Sequence, residues 1–185
     1  MSYIKPSFYN KNPLMVLSYL TKNATKPNIS SHIAKDLDIA TGSVHQILKF
    51  FSKISLVKSS QFGKSSVYEI DRESPLIRTF RLFDTLLELY PLFKKLEEIS
   101  RKIILYGSCA LGTDTELSDI DLMIEADDDN KDQIYSMISD FEYEREVNAI
   151  VLDTNEVIEL EKNEPVFFKE IQKGIEIWGG SNGHN

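Results

Sequence analysis

Two short runs hold the side chains best suited to chemistry. One is Gly107-Ser108-Cys109-Ala110-Leu111-Gly112; the other is Ser118-Asp119-Ile120-Asp121-Leu122. The first follows an apolar run, Lys102 to Tyr106, that reads as a strand. The second opens another, Leu122-Met123-Ile124. A glycine directly after a strand lets backbone approach a phosphate with no side chain in the way. A helix starting near Ser108 would turn its first amides toward an anion, and Ser108 adds a hydroxyl donor. Residues two apart in a strand share a face, so Asp119 and Asp121 project together. Paired carboxylates suit a hard cation such as Mg²⁺, which is commonly shared with triphosphate oxygens and water. A phosphate cradle beside such a pair is the equipment for moving a nucleotidyl group, with two metals serving the attacking oxygen and the leaving pyrophosphate. The plainer alternative is a solvated acid pair at a strand edge.

Further elements must hold these two runs in place. Asp71 to Ser100 carries Leu76, Ile77, Phe80, Phe83, Leu86 and Leu87 at helical steps. Leu92, Phe93, Leu96 and Ile99 continue the pattern. Pro91 is expected to kink or restart this helix at Tyr90. Helices are also expected over 131–141, 155–162 and 165–173, the last stopped by Gly174. Strands are expected over 146–152 and 175–178, and a mobile polar tail over 179–185. The run Asp127-Asp128-Asp129-Asn130 reads as a solvated turn.

Residues 101–178 strongly resemble the polymerase-beta-like nucleotidyltransferases, especially their minimal members. Both glycines, the spacing and Ser-Asp-Ile-Asp-Leu carry the likeness. It implies Asp119 and Asp121 as catalytic, Mg²⁺-holding residues, with Gly107 and Ser108 on the triphosphate of ATP. It further implies AMP transfer to a macromolecular acceptor, a protein above all. Minimal members often act as antitoxins that modify a HEPN-type ribonuclease. Such enzymes usually supply a third carboxylate from a neighbouring strand, and the resemblance puts that position at Asn148. An amide can offer a metal its carbonyl oxygen, but it brings neither charge nor a base. Glu146 shares the parity of Asn148; Asp153 has the opposite parity. A domain that binds nucleotide without catalysing transfer is therefore a second reading.

The N-terminal segment reads differently. A helix is expected over 14–20, with Asn12 as cap and Pro13 in its first position. A second covers 31–37, capped by Ser30 or Ser31. After the turn Asp38 to Gly42, a third carries Val44, Ile47, Leu48 and Phe51. Two short strands follow, 56–60 and 65–70, around a tip containing Gly63. This order resembles a winged helix-turn-helix domain, and its union with the C-terminal segment resembles an archaeal two-domain family. Thr41, Ser43, His45, Gln46 and Lys49 would face base edges in a DNA major groove, and Lys58 and Lys64 would meet phosphates. A winged helix that binds protein is the alternative. His32 and His45 lack the neighbours of a metal site.

The fold class expected is thus α/β (α+β). It comprises a winged helix-turn-helix over 1–70, a helical connector over 71–100 and a mixed-sheet nucleotidyltransferase over 101–178. Charge divides along the same line. The 185 residues carry a net charge of −8, but residues 1–70 hold nine lysines against three acids, while 71–185 hold 12 bases against 26 acids. A basic segment joined to an acidic one points to nucleic acid at the basic end. The acidic end would repel a nucleic-acid backbone, which favours a protein acceptor. One cysteine, Cys109, excludes a disulfide framework and a Cys-rich zinc site. With no long apolar run and no signal-like N-terminus, the expectation is a cytoplasmic protein with no membrane partner. A homodimer reading two DNA half-sites is a further expectation. Two readings remain beside the enzyme: a DNA-binding regulator whose degenerate domain only senses nucleotide or a partner, and a pure protein-interaction module.

Overall fold

The computed structural model describes residues 12–179 apart from 64, 116 and 144. The chain separates into two compact units, and the division falls between Asp84 and Thr85, within one helix.

The N-terminal unit runs α1 (Asn12–Lys22), β1 (Asn28–Ile29), α2 (Ser30–Leu37), α3 (Thr41–Lys53), β2 (Val57–Phe62) and β3 (Ser65–Ile70). The strands form an antiparallel sheet in the order β1-β3-β2. Helical spacing explains its core. Val16 and Leu20 from α1, Ile33 from α2, and Val44, Leu48 and Phe51 from α3 are buried together with Val57, Tyr68 and Ile70. Caps differ from the sequence expectation. Ile29 precedes α2 in extended conformation, and no serine side chain caps that helix. Pairing of Asn28 and Ile29 with β3 fixes the entry to α2 instead.

The next helix, α4 (Pro75–Leu96), is continuous through Pro91. A proline inside a helix costs about 3 kcal/mol through its lost hydrogen bond and ring clash. Leu89, Leu92, Phe93 and Leu96 are buried around it. Burial of each such side chain stabilises by about 1.5–3 kcal/mol, which more than offsets the break. The expected restart at Tyr90 is therefore absent.

The C-terminal unit is a four-stranded mixed sheet with flanking helices. Its strands are β4 (Lys102–Tyr106), β5 (Ile120–Glu125), β6 (Val147–Leu152) and β7 (Ile175–Gly179), in the order β6-β5-β4-β7. β5 and β6 are parallel; β4 is antiparallel to both β5 and β7. The helices are α5 (Gly107–Leu111), α6 (Lys131–Ser139), α7 (Thr154–Asn163) and α8 (Pro165–Gln172). Residues 103–106 and 122–124 are buried without alternation, as in central strands covered on both faces. One face carries Ile104 and Met123, with Ile150, Leu152, Leu160, Phe167 and Ile171 packed on them. Asp127 to Asn130 form the expected polar turn, held by an Arg101–Asp127 ion pair at 2.5 Å. Gly179 ends β7; the rest of the expected tail, 180–185, lies outside the described residues. Among the described residues, no helix is long and apolar enough to cross a membrane.

Candidate active site

Backbone register builds the site. Tyr106 at the end of β4 stands opposite Asp121 of β5, and Asp121 stands opposite Asn148 of β6. These three residues form one row across three strands, on the face that carries Ile104, Met123 and Ile150 one step further along. Asp119 lies just before β5, two residues from Asp121 and on the same face.

Gly107 follows Tyr106 at φ +69°, a left-handed conformation that side chains other than glycine rarely adopt. The neighbouring carboxylate adds a second reason for glycine. A Cβ at this position would lie 2.5 Å from Asp121 Oδ2. The site thus brings backbone and carboxylate to the same spot. α5 begins at Gly107 with no side chain capping its first turn. Ser108 is partly buried in that turn, and its carbonyl accepts the Thr113 N–H at 3.0 Å. Gly112, at φ +64°, ends the helix.

Asp119 is exposed and Asp121 is partly buried. Burial and then the charge of Asp119 push the pKa of Asp121 above the ordinary carboxylate range. Burial, reinforced by Asp121, raises the Tyr106 phenol to about 12. A cation beside the two carboxylates would relieve their repulsion, and their oxygens are the donor type that Mg²⁺ prefers. The pair therefore fits one divalent cation. Among the described residues, no three His, Cys, Asp or Glu side chains gather as a metal-binding group.

Asn148 stands in the expected row, and its Nδ2 donates to Asp119 Oδ2 at 3.1 Å. Glu146 lies just before β6 with an exposed side chain; its carbonyl accepts the Ile120 N–H at 2.9 Å. Asp153 has other work. It caps α7, accepting the N–H groups of Asn155 and Glu156 at 2.7 and 2.9 Å, and Glu156 completes a capping box.

A buried polar cluster ties down the loop between the two motifs. Arg145 Nη1 donates to Asp114 Oδ2 at 2.7 Å, with both side chains largely sheltered. Arg145 also reaches Thr85 Oγ1 and the Tyr143 hydroxyl, each at 3.3 Å, and Tyr143 donates to Glu88. Ser118 Oγ accepts the Thr115 N–H at 2.8 Å, closing the turn before Asp119. Cys109 is buried, its thiol donates to the Asp119 carbonyl at 3.3 Å, and burial pushes that thiol up to about 11. Sequence reasoning missed Arg145 and Asp114. They lie 31 residues apart, and no spacing rule links them.

The family comparison decides the class. Residues 88–182 match the polymerase beta nucleotidyltransferase model, slightly more than half of the chain. The chain belongs to that nucleotidyltransferase family. The match takes in both motif runs, β6 and the helices of the C-terminal unit. No curated protein matches this nucleotidyltransferase. Solved structures are similar only at low identity. A proposed nucleotidyltransferase from Sulfolobus solfataricus has 19% identity over 62% of this chain and 98% of its own, with a TM-score of 0.40. AF1382 from Archaeoglobus fulgidus has 12% identity over 46% of this chain and 96% of its own, also at 0.40. TrmBL2, an archaeal chromatin protein, has 15% identity over 90% and 75%, at 0.30.

The other expected site residues lie in the N-terminal unit. Thr41, Ser43, His45, Gln46 and Lys49 are exposed on α3, opposite its buried Val44, Leu48 and Phe51. Lys58 is exposed on β2. Lys64 lies outside the described residues.

Proposed function

We propose that this family member transfers AMP from ATP to a protein hydroxyl and carries a DNA-binding winged helix on the same chain. One observation carries the enzymatic part: the Asp121 carboxylate lies against the backbone of Gly107, where a Cβ would come within 2.5 Å of its Oδ2. Asp119 and Asp121 would hold Mg²⁺, and the first amides of α5 with Ser108 would receive the triphosphate. The cation would offset charge on the phosphate oxygens as the pyrophosphate leaves. Arg145 and Asp114 keep the loop after α5 in place, and Ser118 sets the turn that delivers Asp119. The acceptor class follows from charge, since the net −14 of residues 71–185 repels a nucleic-acid backbone. A HEPN-type ribonuclease is the first acceptor to try, which would make the protein an antitoxin-type regulator of the cytoplasm.

The DNA-binding part rests on the helix order, the β2–β3 hairpin and the exposed polar face of α3 above a net charge of +6. A homodimer would present two such faces to paired half-sites. The test of the enzyme is incubation with labelled ATP, Mg²⁺ and candidate acceptors. Label should pass to a protein, and Asp119→Ala combined with Asp121→Ala should abolish that transfer. Transfer surviving both substitutions removes the metal-site assignment.

The hydrogen bond from Asn148 to Asp119 favours a second reading, a regulator that binds nucleotide without transferring it. It predicts DNA binding that shifts with ATP while no labelled product forms.

A further inference from the structure

The amide at position 148 stands where it decides how many cations the site can hold. It occupies the same cross-strand row as Asp121 and directs its N–H to Asp119 Oδ2 at 3.1 Å. The opposite orientation would set an amide oxygen against a carboxylate oxygen, two acceptors with no proton between them. The amide carbonyl is therefore turned away from Asp119. One Asp119 oxygen is engaged by a donor, so part of its capacity to bind a cation is already used.

We propose that Asn148 makes this a single-cation site: it braces Asp119 through its amide and supplies no negative ligand for a second ion. The inference rests on the nucleotide-site reading given above. Charge supports it. Two carboxylates balance one divalent ion. A second ion about 3.5–4 Å away, the usual two-metal spacing, meets four times the repulsion of two unit charges at that distance. The triphosphate oxygens offset part of this, and further anionic ligands from the protein would have to offset the rest. Glu146 sits on the parity of Asn148, yet among the described residues no third acid gathers with Asp119 and Asp121. Asp153 is committed to the cap of α7. The same-face side chain bonded to Asp119 is the neutral amide of Asn148.

The same geometry names the reverse change. Asn148→Asp puts a carboxylate in the row with Asp121 and beside Asp119, and converts the site to one that holds two cations. Equilibrium dialysis of the full chain tests this with Mn²⁺ and α,β-methylene-ATP, both measured on the protein side. The wild type should retain one Mn²⁺ per analogue; Asn148→Asp should retain two. Asn148→Ala, which removes the brace without adding charge, should stay at one. Electron paramagnetic resonance supplies an independent readout, with spin-coupled Mn²⁺ pairs in Asn148→Asp alone. Two Mn²⁺ per analogue in the wild type overturns the inference, whether or not Asn148→Asp folds. So does a folded Asn148→Asp, checked by circular dichroism, that remains at one. A wild type that retains neither analogue nor Mn²⁺ is a different result: it defeats the nucleotide-site reading itself, and this inference with it.

Discussion

Gly107→Ala separates what the fold needs from what the site needs. Two effects act at this residue. The first is backbone strain: at φ +69°, a Cβ costs about 1–2 kcal/mol. The second is displacement. The new methyl would lie 2.5 Å from Asp121 Oδ2, where ordinary contact begins at 3.4 Å. The carboxylate must therefore retreat by about 0.9 Å, and a misplacement near 1 Å can cost about 10²-fold in rate. Expected together are a stability loss of about 1–2 kcal/mol and a transfer rate down about 100-fold, equivalent to about 2.7 kcal/mol at the transition state.

Gly63 provides the control. It too has positive φ, at +61°, but a Cβ there meets nothing within 4 Å. Gly63→Ala should show the strain alone, with transfer unchanged. Urea titration, followed on the transition of each unit, measures the stabilities; label transfer under single-turnover conditions measures the rates. If Gly107→Ala keeps wild-type transfer while losing as much stability as Gly63→Ala, Asp121 does not need its place against the glycine. The site assignment then fails with it.

Three further outcomes are expected. Arg145→Met removes the guanidinium bonded to the buried Asp114 carboxylate at 2.7 Å, and breaking such a pair from one side costs about 3–5 kcal/mol; a urea-measured loss under about 1 kcal/mol would argue against a structural role for the pair. Asp153→Ala should lower the melting temperature at neutral pH, because bonds from the Glu156 and Asn155 amides hold the Asp153 pKa below its ordinary 3.8. A depressed carboxylate stabilises above its unfolded pKa and loses that contribution as pH falls through the folded value, so the gap to wild type should close below pH 3.8 and stay open at pH 7. Lys49→Ala and Lys58→Ala should each weaken DNA binding across sequences and reduce the salt slope by about 1; an unchanged slope removes that lysine from the phosphate contacts.

The parts of this chain that could be read from sequence are those governed by local period. Strand parity placed Asp119 and Asp121 on one face; the family resemblance pointed to Asn148, and only the register of β5 on β6 sets it opposite Asp121. Helical period selected the buried Val44, Leu48 and Phe51, and so left the polar face of α3 outside. Local rules failed where distant contacts decide. Pro91 ended a helix by propensity, but buried neighbours on either side carry α4 through it. Ser30 and Ser31 had the chemistry of caps, yet strand pairing at Asn28 and Ile29 settles how α2 begins. Nothing near Asp114 in the chain announces Arg145. Gly107 was legible as a residue that lets a phosphate approach; its second constraint, the Asp121 carboxylate, belongs to another strand and required the fold.

The accuracy of the site comes from the ladders more than from the loop. Tyr106, Asp121 and Asn148 belong to three strands, so only register aligns them. A slip of one residue between β5 and β6 would turn Asn148 to the opposite face and break its bond to Asp119. Both ladders that matter are unbroken: β4 pairs with β5 from Lys102 to Tyr106, and β5 with β6 over its whole length. The one irregularity lies elsewhere, between Ile103 and Ile104, where β4 meets the edge strand β7. That register shift lies on the edge pairing and leaves the Tyr106–Asp121–Asn148 row untouched. The loop from Gly112 to Ser118 is then secured separately, by Arg145 on Asp114 and by the Thr115–Ser118 turn. Position of the carboxylates and position of the Gly112–Ser118 loop thus rest on different interactions. Substitutions at Asn148 should change what the site binds without unfolding the sheet, whereas loss of Arg145 should loosen the Gly112–Ser118 loop while the carboxylate row keeps its register.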